Sequence, residues 1–169
     1  MKYQIILKHI LCKKNTINKF LFINKKKEYI YLIIPKIIKV DLIKSNKLII
    51  SLNKNSSCIN NHSTNLLNFF KKKIIEINYG LLYYFNAKIQ LKGVGFKFLN
   101  NYKKKIILSL RYSHLIILKI PQFINIFYKN NMNIILIASD KQKLYEFCYY
   151  IQKFKKPTKF NKKGIFIIK

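Results

Sequence analysis

Carboxylates are nearly missing from this chain. Glu28, Asp41, Glu76, Asp140 and Glu146 are the whole acidic supply in 169 residues, against 34 Lys plus Arg, and the formal net charge is +29. None of the five forms a familiar local motif with another carboxylate or with His9, His62 or His114, so the paired groups of general acid–base catalysis are not supplied. Cysteine is sparse as well: Cys12, Cys58 and Cys148 lack the CxxC spacing of a zinc or redox site and read as reduced structural thiols. No apolar run approaches the ~18 residues of a membrane span. The opening "MKYQIILKHILCKKN" is broken by Lys8 and His9 and lacks the Arg and Ser of an imported transit peptide. The expectation is a protein made in its own compartment, with no membrane insertion.

Half of the residues are hydrophobic, which excludes a disordered basic tail and is enough to fill one core or two small ones. A field of this size calls for a polyanion: nucleic acid first, an anionic membrane surface second. Arg111 is the only arginine, although selection for phosphate forks favours Arg over Lys. The excess of Lys, Asn, Ile, Tyr and Phe, with 4 Gly, 3 Pro and no Trp, carries the imprint of an adenine- and thymine-rich genome. That points to an organelle, with the mitochondrion preferred, or to a plastid or an extreme bacterium as alternatives.

From Phe20 to Leu52 the chain reads as short strands, "KFLFI", "EYIYLII", "IIKVDLI" and "KLIISL", rich in the β-branched and aromatic residues that strands prefer. After the polar "NKNSSCINNHS", Leu67, Phe70, Ile74 and Ile77 recur at helical spacing, predicting a helix over about 64–79 with Gly80 as a left-handed cap. The second half repeats the plan: "AKIQLKGVGFKFL", "KKIILSLRY", "LIILKI", "INIFY" and "NIILIA" as strands, then a helix over about 140–153. A Ser139–Gln142 capping box starts that helix, and Leu144, Phe147, Cys148 and Ile151 mark its apolar face. "PKIIKVDLIKSNKLIISL" from Pro35 and "PQFINIFYKNNMNIILIA" from Pro121 align without a gap at an offset of 86 residues, the signature of an internal duplication. The expected fold class is therefore α+β: two small domains, 1–84 and 85–169, each a mostly antiparallel sheet packed with one helix.

Three stretches stand out as candidate sites. "GVGF" (Gly93–Phe96) lacks the third glycine of a dinucleotide loop and reads as a bulge or a close backbone approach. "RYSHL" places His114 at a strand junction beside Arg111 and Tyr112, a turn residue or an RNA contact. The closing "FKKPTKFNKKGIFIIK" surrounds Pro157, Phe160 and Gly164 with Lys155, Lys156, Lys159, Lys162 and Lys163, then runs into an apolar strand. Lysines held at both ends could follow a folded RNA backbone, with Phe160 either stacking on a base or anchoring the loop in the core.

Taken together, "LKGVGFKF", "LSLRYSHLI", "SDKQKL" and "PTKFNKKGI" resemble, in order and spacing, the motifs L-x-GVGY, L-GYSHP, DKQ and P-x-x-YKGKGI of bacterial-type large-subunit ribosomal protein six. Phe96 and Phe160 stand where that family has tyrosine, Arg111 and Lys162 where it has glycine, Leu115 where it has proline and Asn161 where it has lysine. The resemblance is specific from Gly80 to Ile165 and architectural before that. It implies a duplicated two-domain fold and a structural role in the large ribosomal subunit, on large-subunit rRNA near the sarcin-ricin loop and the translation-factor GTPase centre. Neighbouring ribosomal proteins and transient GTPases would be the other partners, with no catalytic residue, cofactor, metal or homo-oligomer. The expected RNA-binding residues are Lys155, Lys156, Lys159, Phe160, Lys162, Lys163 and Gly164, with Arg111, His114, Lys92 and Lys97. A nucleic-acid-binding protein outside the ribosome stays open as the alternative. A peripheral membrane protein is disfavoured because the last helix opens with Asp140 and carries tyrosines instead of a lysine face.

Overall fold

The computed structural model describes residues 2–7, 10–16, 19–24, 28–44, 47–52, 61–99, 105–158, 160 and 162–168. The chain forms two compact units, residues 1–83 and 84–169. The first holds β1 (Lys2–Ile6), β2 (Leu11–Thr16), β3 (Lys19–Ile23), β4 (Tyr29–Ile33), β5 (Ile38–Lys44), β6 (Lys47–Leu52) and α1 (Asn61–Tyr83). The second holds β7 (Phe85–Lys92), β8 (Lys97–Leu99), β9 (Lys105–Ser109), β10 (Ile116–Lys119), β11 (Asn125–Asn130), β12 (Asn133–Ala138), α2 (Lys141–Lys153) and β13 (Gly164–Ile168). All strand pairings are antiparallel among the described residues, and the fold class is the α+β duplication read from the sequence.

The duplication extends to backbone detail. Sheet order is β1-β6-β5 with β2-β3-β4 in the first unit, and β13-β7-β12-β11 with β10-β9-β8 in the second. Val40 faces Ile50 in the first hairpin, and the residues 86 positions on, Ile126 and Leu136, face each other in the second. The register slips between Leu42 and Lys44, and again between Tyr128 and Asn130. Ile38 N donates to Pro35 O at 3.0 Å and Ile124 N to Pro121 O at 3.1 Å. A bulge and a proline turn falling at the same offset are backbone features that biased composition does not create. The second unit adds one element, β13, which pairs with β7.

Each unit closes one core between its helix and its sheets. In the first, Phe22, Leu48 and Ile50 meet Leu67 and Ile74 of α1; in the second, Ile89, Leu91 and Leu136 meet Leu144, Cys148 and Ile151 of α2. The alternation of buried and exposed positions along β4 and β12 gives each sheet one core face.

Both helix ends differ from expectation. Gly80 does not cap α1: it lies buried inside the helix, which runs on to Tyr83, and it is Tyr84 that takes φ +58. Asn24, itself buried, donates its side-chain amide to Leu81 O at 3.1 Å, satisfying a carbonyl that the helix end leaves without a partner. At α2 the cap is Asp140 and not Ser139. The Asp140 carboxylate accepts from Gln142 N (3.0 Å) and Lys143 N (3.4 Å) and adds negative charge at the positive end of the helix. The Gln142 side chain donates to Glu146 Oε1 at 3.0 Å.

Burial pushes the Cys12 and Cys148 thiols up to about 12. Because the folded state holds both neutral, their contribution to stability is complete below the ordinary thiol range and is lost as the pH rises through it towards 12. Iodoacetamide at pH 8 should therefore leave Cys12 and Cys148 unmodified in the native chain and alkylate both in urea, as read by intact mass and peptide mapping. Cys58 lies outside the described residues. Gly164 gives a second prediction. At φ +139, a Cβ on it would stand 2.6 Å from Pro157 Cα and 2.8 Å from Lys156 O. Gly164→Ala should destabilise the second unit by roughly 2–4 kcal/mol, measured by urea denaturation, since backbone cannot yield as a side chain can.

Candidate nucleic-acid interface

The glycine pair forms a turn and not a bulge within one strand. Gly93 (φ +151) and Gly95 (φ +79) lie between β7 and β8, with Phe96 N bonded to Gly93 O at 3.2 Å, and the chain here leaves the four-stranded sheet for the three-stranded one. A Cβ on Gly93 would lie 2.9 Å from the Phe96 ring. The close approach seats Phe96 in the core and presents Val94 at the surface, 69% exposed. Lys92 and Lys97 flank the turn and are exposed, the Lys92 ammonium lying 4.9 Å from the Phe166 ring centre.

The bend over residues 111–114 is tied to the end of α2. Tyr112 donates its hydroxyl to Phe154 O at 2.8 Å, and Lys155 Nζ sits 4.9 Å over the Tyr112 ring. The His114 ring stacks on Tyr112 at 6.2 Å and 20°. Arg111 adopts φ +59 and Lys162 φ +46; both occupy glycine positions of the motif pattern described above. The fold asks for left-handed backbone there, and a side chain with a Cβ pays about 1–2 kcal/mol to comply.

The closing loop is bonded across its own neck. Ile165 N donates to Lys155 O (2.9 Å), Thr158 N to Lys163 O (3.0 Å) and Thr158 Oγ1 to the same carbonyl (3.3 Å). Gln152 of α2 donates to Ile165 O at 3.0 Å. Gly164 is buried against the Pro157 backbone, which makes its place in the loop structural. Lys156, Lys162 and Lys163 are exposed and Lys155 is half-buried. Phe160 is 97% exposed, which rules out the core-anchor alternative for that ring. Lys159 lies outside the described residues.

The three stretches meet at a cleft of about 240 Å³ in the second unit. Phe96 and Leu110 form its floor, Val94 one rim, and Arg111, Lys155 and Lys163 the cationic remainder. His114, Lys156, Phe160, Lys162, Lys92 and Lys97 do not line it. Sequence reasoning missed Val94, Leu110, Thr158 and the Tyr112 clamp, because nothing in local spacing links residues 94, 110 and 158. Among the described residues, the cations of this surface have no carboxylate partner; the two ion pairs, Lys39–Asp41 and Lys73–Glu76, belong to the first unit. No group of three His, Cys, Asp or Glu able to hold a metal occurs among the described residues, and no described helix is long and apolar enough to cross a membrane. The arrangement offers fixed, unneutralised positive charge around a small apolar recess, suited to phosphates and to aromatic rings.

No family model matches the chain. It is similar to large ribosomal subunit protein uL6 of Porphyromonas gingivalis, 33% identical over 85 residues that make up 48% of this chain and 46% of that protein. It is also similar to uL6c of Porphyra purpurea, 33% identical over 82 residues, 48% of this chain and 44% of that one. In both cases the match spans less than half of the relative's length. The similarity to uL6 of Karelsulcia muelleri runs much further: 32% identity over 155 residues, 85% of this chain and 83% of that protein. Similarity on that scale, with the duplicated α+β architecture beneath it, shows that the chain belongs to the uL6 family of large ribosomal subunit proteins.

Proposed function

We propose that this protein is a structural constituent of the large ribosomal subunit and braces large-subunit rRNA with the second of two domains, 1–84 and 85–169. The observation that carries this reading is the closing loop: lysines that, among the described residues, have no acidic partner, on a segment whose ends are fixed by β13 and by hydrogen bonds across its neck. A-form RNA hides its major-groove edges from side chains, so such a surface recognises phosphate path and shape. Lys155, Lys156, Lys159, Lys162 and Lys163 would meet the backbone, with Arg111, His114, Lys92 and Lys97 extending the footprint and Phe160 stacking on an exposed base. The names of the relatives support the large ribosomal subunit; the place near the sarcin-ricin loop, beside the site where translation GTPases dock, rests on the motif resemblance alone. No catalytic step is assigned. We favour a mitochondrial ribosome on the grounds of composition, with a plastid or AT-rich bacterial ribosome as the alternatives.

Sedimentation of a native extract through sucrose in moderate salt should place the chain with the large subunit and release it after ribonuclease treatment. Recovery in free fractions beside intact ribosomes would contradict the proposal. Lys163→Ala should weaken binding to extracted large-subunit rRNA modestly and lower the slope of log K against log salt by somewhat less than one. An unchanged slope would remove Lys163 from the contact surface. Arg111→Gly should separate two roles of one residue. Releasing the left-handed strain should raise stability by about 1 kcal/mol in urea denaturation, while losing a phosphate contact should weaken rRNA binding.

A further inference from the structure

We infer that the cleft between the Gly93–Phe96 turn and the closing loop is a seat for a single unstacked nucleobase, so that the interface grips one extruded nucleotide as well as the RNA backbone. This rests on the rRNA-binding reading of the same loop and adds to it a ligand class and a location.

Size, lining and rim all argue for it. At about 240 Å³ the cleft falls below the ~300–1,000 Å³ of pockets that enclose a whole small molecule. A base with its sugar and phosphate does not fit, but one planar ring does, leaving the phosphate outside. The floor is apolar, Phe96 and Leu110 being only 5% and 1% exposed. An apolar floor rewards burial of a ring face and offers a bare phosphate no side-chain donor. Cations stand only at the rim. Lys155 is directed across the Tyr112 ring and Lys163 is fixed through its carbonyl by Thr158. Arg111 passes close to Gly95, with Nε 3.4 Å from where a Cβ on that glycine would be. A nucleotide with its base on the floor would carry its phosphate to this rim, where charge is unneutralised. A solvated lysine patch lacks the floor, and a core defect lacks the rim.

The walls also explain why the recess persists. One is the turn held by Phe96 N to Gly93 O at 3.2 Å, the other the loop neck held by Thr158 and Lys163. Each wall is thus closed by its own hydrogen bonds. Val94 is the exposed apolar residue on the rim, so a large side chain at that position would fill the recess while leaving both walls in place.

The test is an amide chemical-shift titration of the full chain with adenosine 5′-monophosphate, set against inorganic phosphate. The expected result is a set of shifts at Val94, Phe96, Leu110 and Thr158 with the nucleotide that inorganic phosphate does not produce. Val94→Trp, whose folding is verified by its melting curve, should abolish those shifts and weaken binding of extracted large-subunit rRNA roughly tenfold, the loss expected for one stacked base. Identical shifts from inorganic phosphate, or full rRNA affinity in Val94→Trp, would overturn the inference and leave the rRNA-binding reading standing. Absence of rRNA binding by the wild-type chain would overturn both.

Discussion

The candidate interface depends on one backbone crossing, where Gly164 lies against Pro157. With no Cβ, Gly164 comes close enough to the Lys156–Pro157 backbone for Ile165 N to reach Lys155 O at 2.9 Å, and β13 then continues along β7 from Gly164↔Lys92 to Ile168↔Lys88. The same crossing joins the two ends of the loop that carry Lys155 and Lys163, both of which line the cleft. Charge is abundant everywhere on this molecule; what is scarce is charge at a fixed position. An unpaired lysine on a free tail gains little beyond counterion release, whereas lysines on a closed loop meet phosphates without first losing chain entropy.

Duplication explains how the site arose within a small fold. Both halves share a proline turn, a bulged hairpin and a central strand pairing, and each closes its own core with one helix. The second half departs by adding β13 at the far side of β7, and the chain that must travel from α2 to that strand is the basic loop. A strand added for pairing therefore creates a tethered segment at the sheet edge, and Lys155, Lys156, Lys159, Lys162 and Lys163 fall on it. The glycine turn that moves the chain from β7 to β8 completes the other wall.

Much of this was legible in the sequence where hydrophobic period and turn chemistry agree. "KFLFI", "KLIISL" and "NIILIA" coincide with β3, β6 and β12, and the four apolar residues assigned to the α2 face are its buried ones. The strands β1 and β2 were not read, because "KYQII" and "LCKKNT" carry too many polar residues for a period to show and owe their strand form to partners in β6 and β3. Gly80 misled because a glycine after an apolar period looks like a stop; inside the helix it is a buried position that needs no side chain. The interface was legible as composition and motif, and the cleft was not. The Tyr112–Phe154 bond and the Lys155–Tyr112 contact join residues about forty positions apart, which only the closed fold brings together.

The central claim is that the loop spanning 155–163 is the principal RNA-facing surface. It is tested most directly by crosslinking native large subunits with ultraviolet light and mapping RNA adducts on this chain by mass spectrometry. The account predicts adducts concentrated in the peptides of residues 155–163 and 92–97, with few in residues 1–83. Adducts confined to the first unit, with the closing loop unmodified and free for lysine acylation in the intact particle, would contradict it.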